Sequence, residues 1–407
     1  MKSKLLTAAA LAVVASAASA QSSVTVYGIA DAGFQYLTNQ APATGASGSN
    51  KFAFNGTNES TSRFGLKGTE DLGGGLNALF QLEGGLNFGT GVAGTSGFTG
   101  STSTTKLFDR AAIIGLGSNA LGTITLGRQQ TVLSDALAVT DPIAYRFAAT
   151  NPNLLYGALV SADYAGFGSN SGQSLTLTSS TSSGAFREDN SAKYYKSFGP
   201  VTLGLNYATA GAAGATSRGT ATGASLAYAD GPLAVNAAYR TLNGNGATST
   251  AGVSGSTAAS IADSAKLQAW TLGAGYTFGP AKVNLTYAQN KSDTTGLGGT
   301  LYTNVKTTIW GLGGTYAATP AVDLIVAYYN IKRQADSYAA GDLGYSRVYL
   351  IADYKLSKRT NLYGAIDYAK YNSAMANSGG TNYAFGNYSL TGSSNNVTYN
   401  VGVRHMF

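Results

Sequence analysis

The sequence has no cysteine, a single histidine, and charged residues at only 11% of its 407 positions. Without cysteine, an exported chain has neither a disulfide framework nor a thiolate metal site. One histidine, His405, excludes a histidine metal cluster and leaves no convincing Ser-His pair. No catalytic residue, metal or other cofactor is therefore expected, and the chain reads as something other than an enzyme. Past residue 20 no segment approaches the ~20 consecutive apolar residues of a spanning helix, which excludes an α-helical membrane protein. The net charge of +7 includes Lys2 and Lys4, and there is no Lys/Arg run or basic stripe, so nucleic acid is not an expected partner.

What is present begins with a leader. Lys2 and Lys4, the apolar run from Leu5 to Ala15 and the small residues Ala18-Ser19-Ala20 form the three regions of a secretory signal peptide. Residues 1–20 are expected to be cleaved, leaving 21–407 as one domain. That domain holds most of the 54 Gly and 26 Tyr, and its mean hydropathy of -0.01 is what alternation produces when half the side chains meet lipid and half meet water.

Period-two patterns run along the chain. In SSVTVYGIADAGFQYLT, Val24, Val26, Phe34 and Tyr36 share one face while Tyr27, Asp31 and Gln35 take the other. VTLGLNYA, PLAVNAAYR, AKVNLTYAQN and AVDLIVAYYN repeat the scheme and carry Tyr207, Tyr239, Tyr287 and Tyr328 at the ends of their apolar stripes. An amphipathic ring in that place suits an aromatic girdle at a membrane interface. Short turns at 70–75, 118–122, 197–200, 230–232, 278–280, 318–321 and 356–359 alternate with long Gly/Ser/Thr/Asn-rich segments such as 38–58, 89–105, 242–263 and 373–395. Seven short turns on one side and long loops on the other predict an all-β, closed transmembrane antiparallel barrel of about sixteen strands. A β-sandwich of this length would split into domains, and a β-helix would show a short fixed repeat.

Parity also sorts the charges. Arg63 and Lys67 alternate with Phe64 and Leu66, and Gln81 and Glu83 with Phe80 and Leu82, so the charged faces belong in the lumen; an Arg facing lipid at the midplane costs roughly 2 to 4 kcal/mol. Arg110 is placed inside on the same test, by alternation with Ala111 and Ile113. Arg128 has lipid-side parity at a strand end and is read as structural. His405 is read as an interfacial ring on the outward face. The rhythm stops at Gly127–Thr150, where Asp135 and Asp141 lie between Arg128 and Arg146. A break that concentrates charge in a charge-poor chain is where function is sought.

Taken together, SSVTVYGIADAG at 22–33, SRFGLKGTEDLGGGLNALFQLEGG at 62–85, DRAAIIGL at 109–116, FGPVTLGLNYA at 198–208 and the terminal RHMF resemble the general trimeric porins of Gram-negative outer membranes, β-proteobacterial type, over essentially the whole mature chain. The resemblance implies a sixteen-stranded barrel in the bacterial outer membrane, a homotrimer, a third extracellular loop folded into the lumen, and passive diffusion of small hydrophilic solutes. Outer-membrane lipids are then partners, and so is the outer-membrane assembly machinery, for which Phe407 resembles the terminal signal. By correspondence Arg187, in REDNSAKYYKSFG, joins Arg63 and Arg110 as the basic wall of a constriction, and Asp141 is the loop acid facing them. The constriction loop spans about 131–185, with Gly166 to Gly184 at the surface.

Where relatives often carry a second carboxylate four residues after that acid, this chain has Tyr145 followed by Arg146. The first strand, with Asp31, offers no basic residue to the lumen. One acid against three arginines, with Asp135 and Glu83 as partial counterweights and Lys67 nearby, implies a weak to moderate anion preference. The competing reading has the arginines bracing the loop carbonyls. Alternatives of other classes are a sugar-specific porin, which needs aromatics along the lumen where only Tyr27, Tyr349 and Tyr363 have the parity, a structural or adhesive barrel, and an embedded hydrolase.

Overall fold

The computed structural model describes residues 23–40, 49–93, 107–147, 150–153, 186–209, 220–243, 248–249, 259–260, 266–297, 300–336, 341–376 and 393–407. The expected leader at 1–20 and the Gly166–Gly184 stretch lie outside these residues, as does most of the loop beyond Asn153.

The described chain is almost entirely strand: β1 (Ser23–Gln40), β2 (Ser49–Asn55), β3 (Arg63–Gly73), β4 (Leu76–Gly85), β5 (Ala111–Ser118), β6 (Gly122–Gln130), β7 (Arg187–Phe198), β8 (Val201–Ala208), β9 (Ala221–Asp230) and β10 (Leu233–Asn243). After the two-residue strands β11 (Thr248–Ser249) and β12 (Ala259–Ser260) come β13 (Lys266–Phe278), β14 (Ala281–Leu297), β15 (Thr300–Thr319), β16 (Val322–Gln334), β17 (Leu343–Lys355), β18 (Thr360–Tyr371) and β19 (Asn395–Met406). Two helices are described, α1 (Val132–Thr140) and α2 (Ser373–Ala376). Every short turn read from the sequence joins consecutive antiparallel strands.

Closure comes from β1 against β19, with Ile29 opposite Met406 and Leu37 opposite Thr398. On its other edge β1 meets β2 over its second half and β3 over its first half. Strands β2 and β3 therefore occupy one barrel position, and the seventeen-stranded sheet is a closed sixteen-stranded barrel. The stretch read as one long loop, 38–58, is thus partly strand, and KFAFN carries the alternation that makes it so, with Phe52 70% and Phe54 50% exposed.

Parity fixes the two surfaces. Leu272, Leu285, Leu312, Val326 and Leu350 are exposed on the outside, while Thr271, Thr286, Tyr329 and Tyr349, of opposite parity, are buried within. Trp270 packs on Tyr287 and Trp310 on Tyr328, with ring centroids 5.0 and 5.1 Å apart, which forms the girdle at the long-connection end.

Residues 56–62 leave the sheet between β2 and β3 and are buried. Asp31 holds them there: its carboxylate accepts the backbone N–H groups of Asn58 at 3.2 Å and Ser60 at 2.6 Å, and the Tyr363 hydroxyl at 2.8 Å.

Candidate functional site: a basic wall and a packed loop

Helix α1 follows from VLSDALAVT. Val132, Leu133, Ala136, Leu137 and Thr140 fall on one helical face and are buried. Thr131 is the N-cap, its hydroxyl accepting the Ser134 N–H at 3.2 Å, and Pro142 follows the C-cap Asp141. The helix lies on the inward face of the sheet: Asn236 of β10 donates to Thr140 at 3.1 Å, and Asn284 of β14 to the Asp141 carbonyl at 3.2 Å. Beyond it, the Thr150 hydroxyl and carbonyl accept Tyr349 at 2.9 Å and Arg347 at 2.7 Å. Leu133, Leu137, Ile143 and Phe147 join Ala269, Ile309, Ile325, Tyr329 and Tyr349 in one apolar cluster. Residues 131–147 and 150–153 therefore pack on the wall formed by β10 and β13–β17.

The remaining wall surrounds a cavity of about 320 Å³ whose lining includes Arg63, Arg110, Arg187 and Lys193, with Glu83 the single carboxylate among the described residues. Gln81, Gln129 and Thr125 supply neutral polar groups to the same surface. Glu83 accepts Arg110 Nε at 2.5 Å and the Tyr27 hydroxyl at 2.9 Å, and lies 3.8 Å from Arg63. Arg63 Nε donates to the Thr61 carbonyl at 3.0 Å. Arg187 is buried at 6% exposure, yet its Nε meets no acceptor. The three arginines thus share one cavity. Lys67, exposed on the same face, sits 5.1 Å from the centre of the Tyr27 ring.

Arg110 reaches the cavity for a reason other than strand parity. Ile114 and Leu116, 65% and 48% exposed, mark the outward face of β5, and Ala111 and Ile113 line the cavity. Arg110, of outward parity, precedes the strand and is turned inward by its ion pair with Glu83.

Asp141 requires a correction, because it does not face the arginines. Its carboxylate accepts the Tyr145 N–H at 2.7 Å, Asn151 at 3.0 Å, Asn153 at 2.6 Å and the Tyr329 hydroxyl at 2.9 Å, with 1% of its surface exposed. A buried carboxylate must find such donors, and these come from its own loop and the wall behind it. Burial pushes its pKa up against those donors. Ala144, whose N–H donates to the Asp141 carbonyl at 3.0 Å, and Tyr145, whose N–H donates to its carboxylate, take φ 54° and 58°, a left-handed conformation costing of order 1 kcal/mol or more per residue. Asp31 is corrected likewise: it has lumen parity but is a buried brace, 1% exposed. Asp135 is a loop charge already paired, accepting Lys193 at 2.9 Å and the Tyr195 hydroxyl.

Arg146 bridges two carboxylates, Glu59 at 2.9 Å and Asp353. Arg404 approaches Glu59 at 3.4 Å, and Asn361 donates to both acids. Sequence reading missed these partners, as it missed the buried Arg240–Glu188 pair and Arg347, 3.3 Å from Asp367. It also undercounted inward tyrosines, but Tyr329, Tyr349 and Tyr363 are at most 4% exposed, so they pack under the loop and offer no stacking track. Arg128 is structural, donating to the Asp109 carbonyl and Asp189, both at 2.6 Å. His405 shares a hydrogen bond of 2.9 Å with Thr360 at the short-turn rim.

A closed barrel with an apolar exterior and a charged cavity against its inner wall defines a transmembrane channel. The chain belongs to the Gram-negative porin family, whose sequence profile matches residues 7–374, and it is a porin of the bacterial outer membrane. It is 30% identical to an outer membrane porin protein of Bordetella pertussis over the full length of both chains, and 31% identical to outer membrane porin protein 32 of Delftia acidovorans over 91% of this chain and 90% of that one. Among solved structures it is similar to an anion-selective porin from Comamonas acidovorans, with TM-score 0.69 and 26% identity over 95% of this chain and all of the other. OmpT of Vibrio cholerae, at 16% identity and TM-score 0.62 over 95% of this chain and 98% of that one, shares the fold.

Proposed function

We propose that this porin is a diffusion channel for small hydrophilic solutes with a weak to moderate preference for anions, and that Arg63, Arg110 and Arg187 carry that preference. The observation behind this reading is the cavity lining, in which, among the described residues, three arginines meet one carboxylate, Glu83, while Lys193 is paired with Asp135. Asp141, buried in the loop, contributes no compensating negative charge to that surface. In a narrow aqueous gap between low-dielectric walls such an imbalance raises the local concentration of anions. The similar porin from Comamonas acidovorans is anion-selective, which points the same way. Homotrimer formation, export through residues 1–20 and recognition of Phe407 during assembly belong to the same proposal and rest on family resemblance. Phe407 pairs with Gly28 through two backbone hydrogen bonds of 3.1 Å, and its ring lies where a Cβ on residue 28 would stand, 2.4 Å from Cζ.

Planar-bilayer recordings under a salt gradient test the proposal. The wild type should give stepwise ohmic conductance with an anion-selective reversal potential, and Arg63→Ala with Arg110→Ala should move that potential toward zero. Unchanged reversal potentials overturn the assignment.

A further inference from the structure

Glycine inside a strand weakens a sheet and marks a place where something approaches the backbone closely. Three glycines on the inward face of the wall under the loop mark such places. None of them has a left-handed φ, so backbone conformation does not call for glycine there. A Cβ at Gly223 of β9 would stand 2.9 Å from Cγ2 of Val132, and one at Gly311 of β15 would stand 3.2 Å from Cγ of Pro142. Between them, a Cβ at Gly273 of β13 would overlap Oγ1 of Thr140 and stand 2.8 Å from its Cβ. The loop enters the three sockets in chain order, and the middle one fits it most tightly.

Cross-strand register puts two of the sockets in one row. Asn236, Gly273, Thr286, Gly311 and Tyr329 are successive partners on β10, β13, β14, β15 and β16. The residues that alternate with the glycines bond the loop: Asn236 donates to Thr140 at 3.1 Å, Thr286 accepts Asn153 at 3.2 Å, and Tyr329 donates to Asp141 at 2.9 Å. Hydrogen bonds thus fix where the loop lies along the wall, and the missing Cβ atoms fix how deep it sinks. On the side of α1 away from the wall, Ala138 and Val139 are exposed, and Asp135 meets Lys193 of β7. Any lift of the helix off β13 therefore moves that side into the lumen, toward the arginines. Carbon pairs settle at about 3.5 to 4.0 Å, so a methyl group at position 273, which starts 2.8 Å from the Thr140 Cβ, lifts the helix end by roughly 1 Å.

We propose that Gly273 and Gly311 set the size limit of the channel, by seating the end of α1 and Pro142 at full depth in the wall and so keeping open the gap between loop and arginines. The proposal rests on the diffusion-channel reading and is independent of the anion preference. Planar-bilayer recording with neutral poly(ethylene glycol) of graded size reads both the unit conductance and the largest polymer that enters. Gly273→Ala should lose unit conductance and exclude a polymer that enters the wild type, and adding Thr140→Gly should restore both. Gly311→Ala, whose methyl group meets the Tyr329 ring at 2.6 Å as well as Pro142, should act in the same direction. Gly364→Ala, at a strand glycine whose Cβ would meet nothing nearer than 4.0 Å, should match the wild type. Thr140→Leu overfills the middle socket from the loop side and leaves every barrel strand as it is, so it should narrow the channel whether or not Gly273→Ala assembles. A Gly273→Ala or Thr140→Leu channel with wild-type conductance and polymer cutoff overturns the proposal, as does a loss in Gly273→Ala that Thr140→Gly fails to restore. Because the polymers are uncharged, failure of the anion preference leaves this reading standing.

Discussion

On β13–β18 the inward residues include Ala269, Ala288, Ile309, Ile325, Tyr329, Tyr349 and Tyr363, all at most 4% exposed; on β3–β7 the inward surface carries Arg63, Glu83, Arg110, Arg187 and Lys193 around open space. The first wall could not face water without wasting apolar surface, and the second could not be covered without stranding charge. Residues 131–147 and 150–153 of the loop therefore have one place to lie. Their position is determined by packing on the apolar wall, and the arginines are left lining the cavity, where Asp135 is the one carboxylate of the described loop residues that reaches their wall, through Lys193. Bracing of the loop is performed by other cations, Arg347 through the Thr150 carbonyl and Arg146 through Glu59 and Asp353.

This contrast can be broken in order of decreasing effect. Arg146→Ala leaves Glu59 and Asp353, whose side chains are 0% and 3% exposed, without their shared cation. Loss of one partner from a buried pair costs about 3 kcal/mol or more, so the chemical unfolding midpoint should fall and open-channel noise should rise, with Arg146→Lys intermediate. Leu137→Ala, at a site 1% exposed, should cost about 2 to 4 kcal/mol in the same unfolding measurement and raise unit conductance as the loop loosens; an unchanged conductance would show that packing does not position the loop. On the other wall, Arg187→Gln should lower the anion-to-cation permeability ratio by about twofold, the scale of one charge in a focusing channel, with little change in stability.

The smallest effect is a pH slope. Burial, opposed by Arg146 and reinforced by Asp353, holds the Glu59 carboxyl up to about 7. A group that binds its proton more tightly when folded adds stability below its ordinary value of 4.5, and that contribution is lost as pH rises through about 7. Stability should therefore decline modestly between pH 5 and 8, and Glu59→Gln should flatten the decline.

Barrel, the inward and outward facing of side chains, and girdle were legible because strand parity and turn spacing are local signals. Arg63 and Glu83 follow from four neighbouring residues. Arg110 lies before its strand, so its inward turn depends on a carboxylate 27 positions away, and parity reached the right place by the wrong route. Asp141 shows a different limit. The donors that bury it, Asn151, Asn153 and Tyr329, carry no spacing signal, so an acid in a loop reads as an acid facing the pore. Arg146 stood out as unusual, but its partners lie 87 and 207 residues away and appear only when the ring of strands is closed.

The clamp at residues 56–62 has a consequence for the order of folding. Asp31 is joined to Tyr363 across 332 positions, Glu59 to Asn361 across 302, and Arg404 to Ser60 across 344. Contacts of such separation carry a large loop-closure cost and form late. None can form until β18 and β19 have reached β1, so the clamp is a seal set at the barrel's seam, completed only when the first and last strands have met.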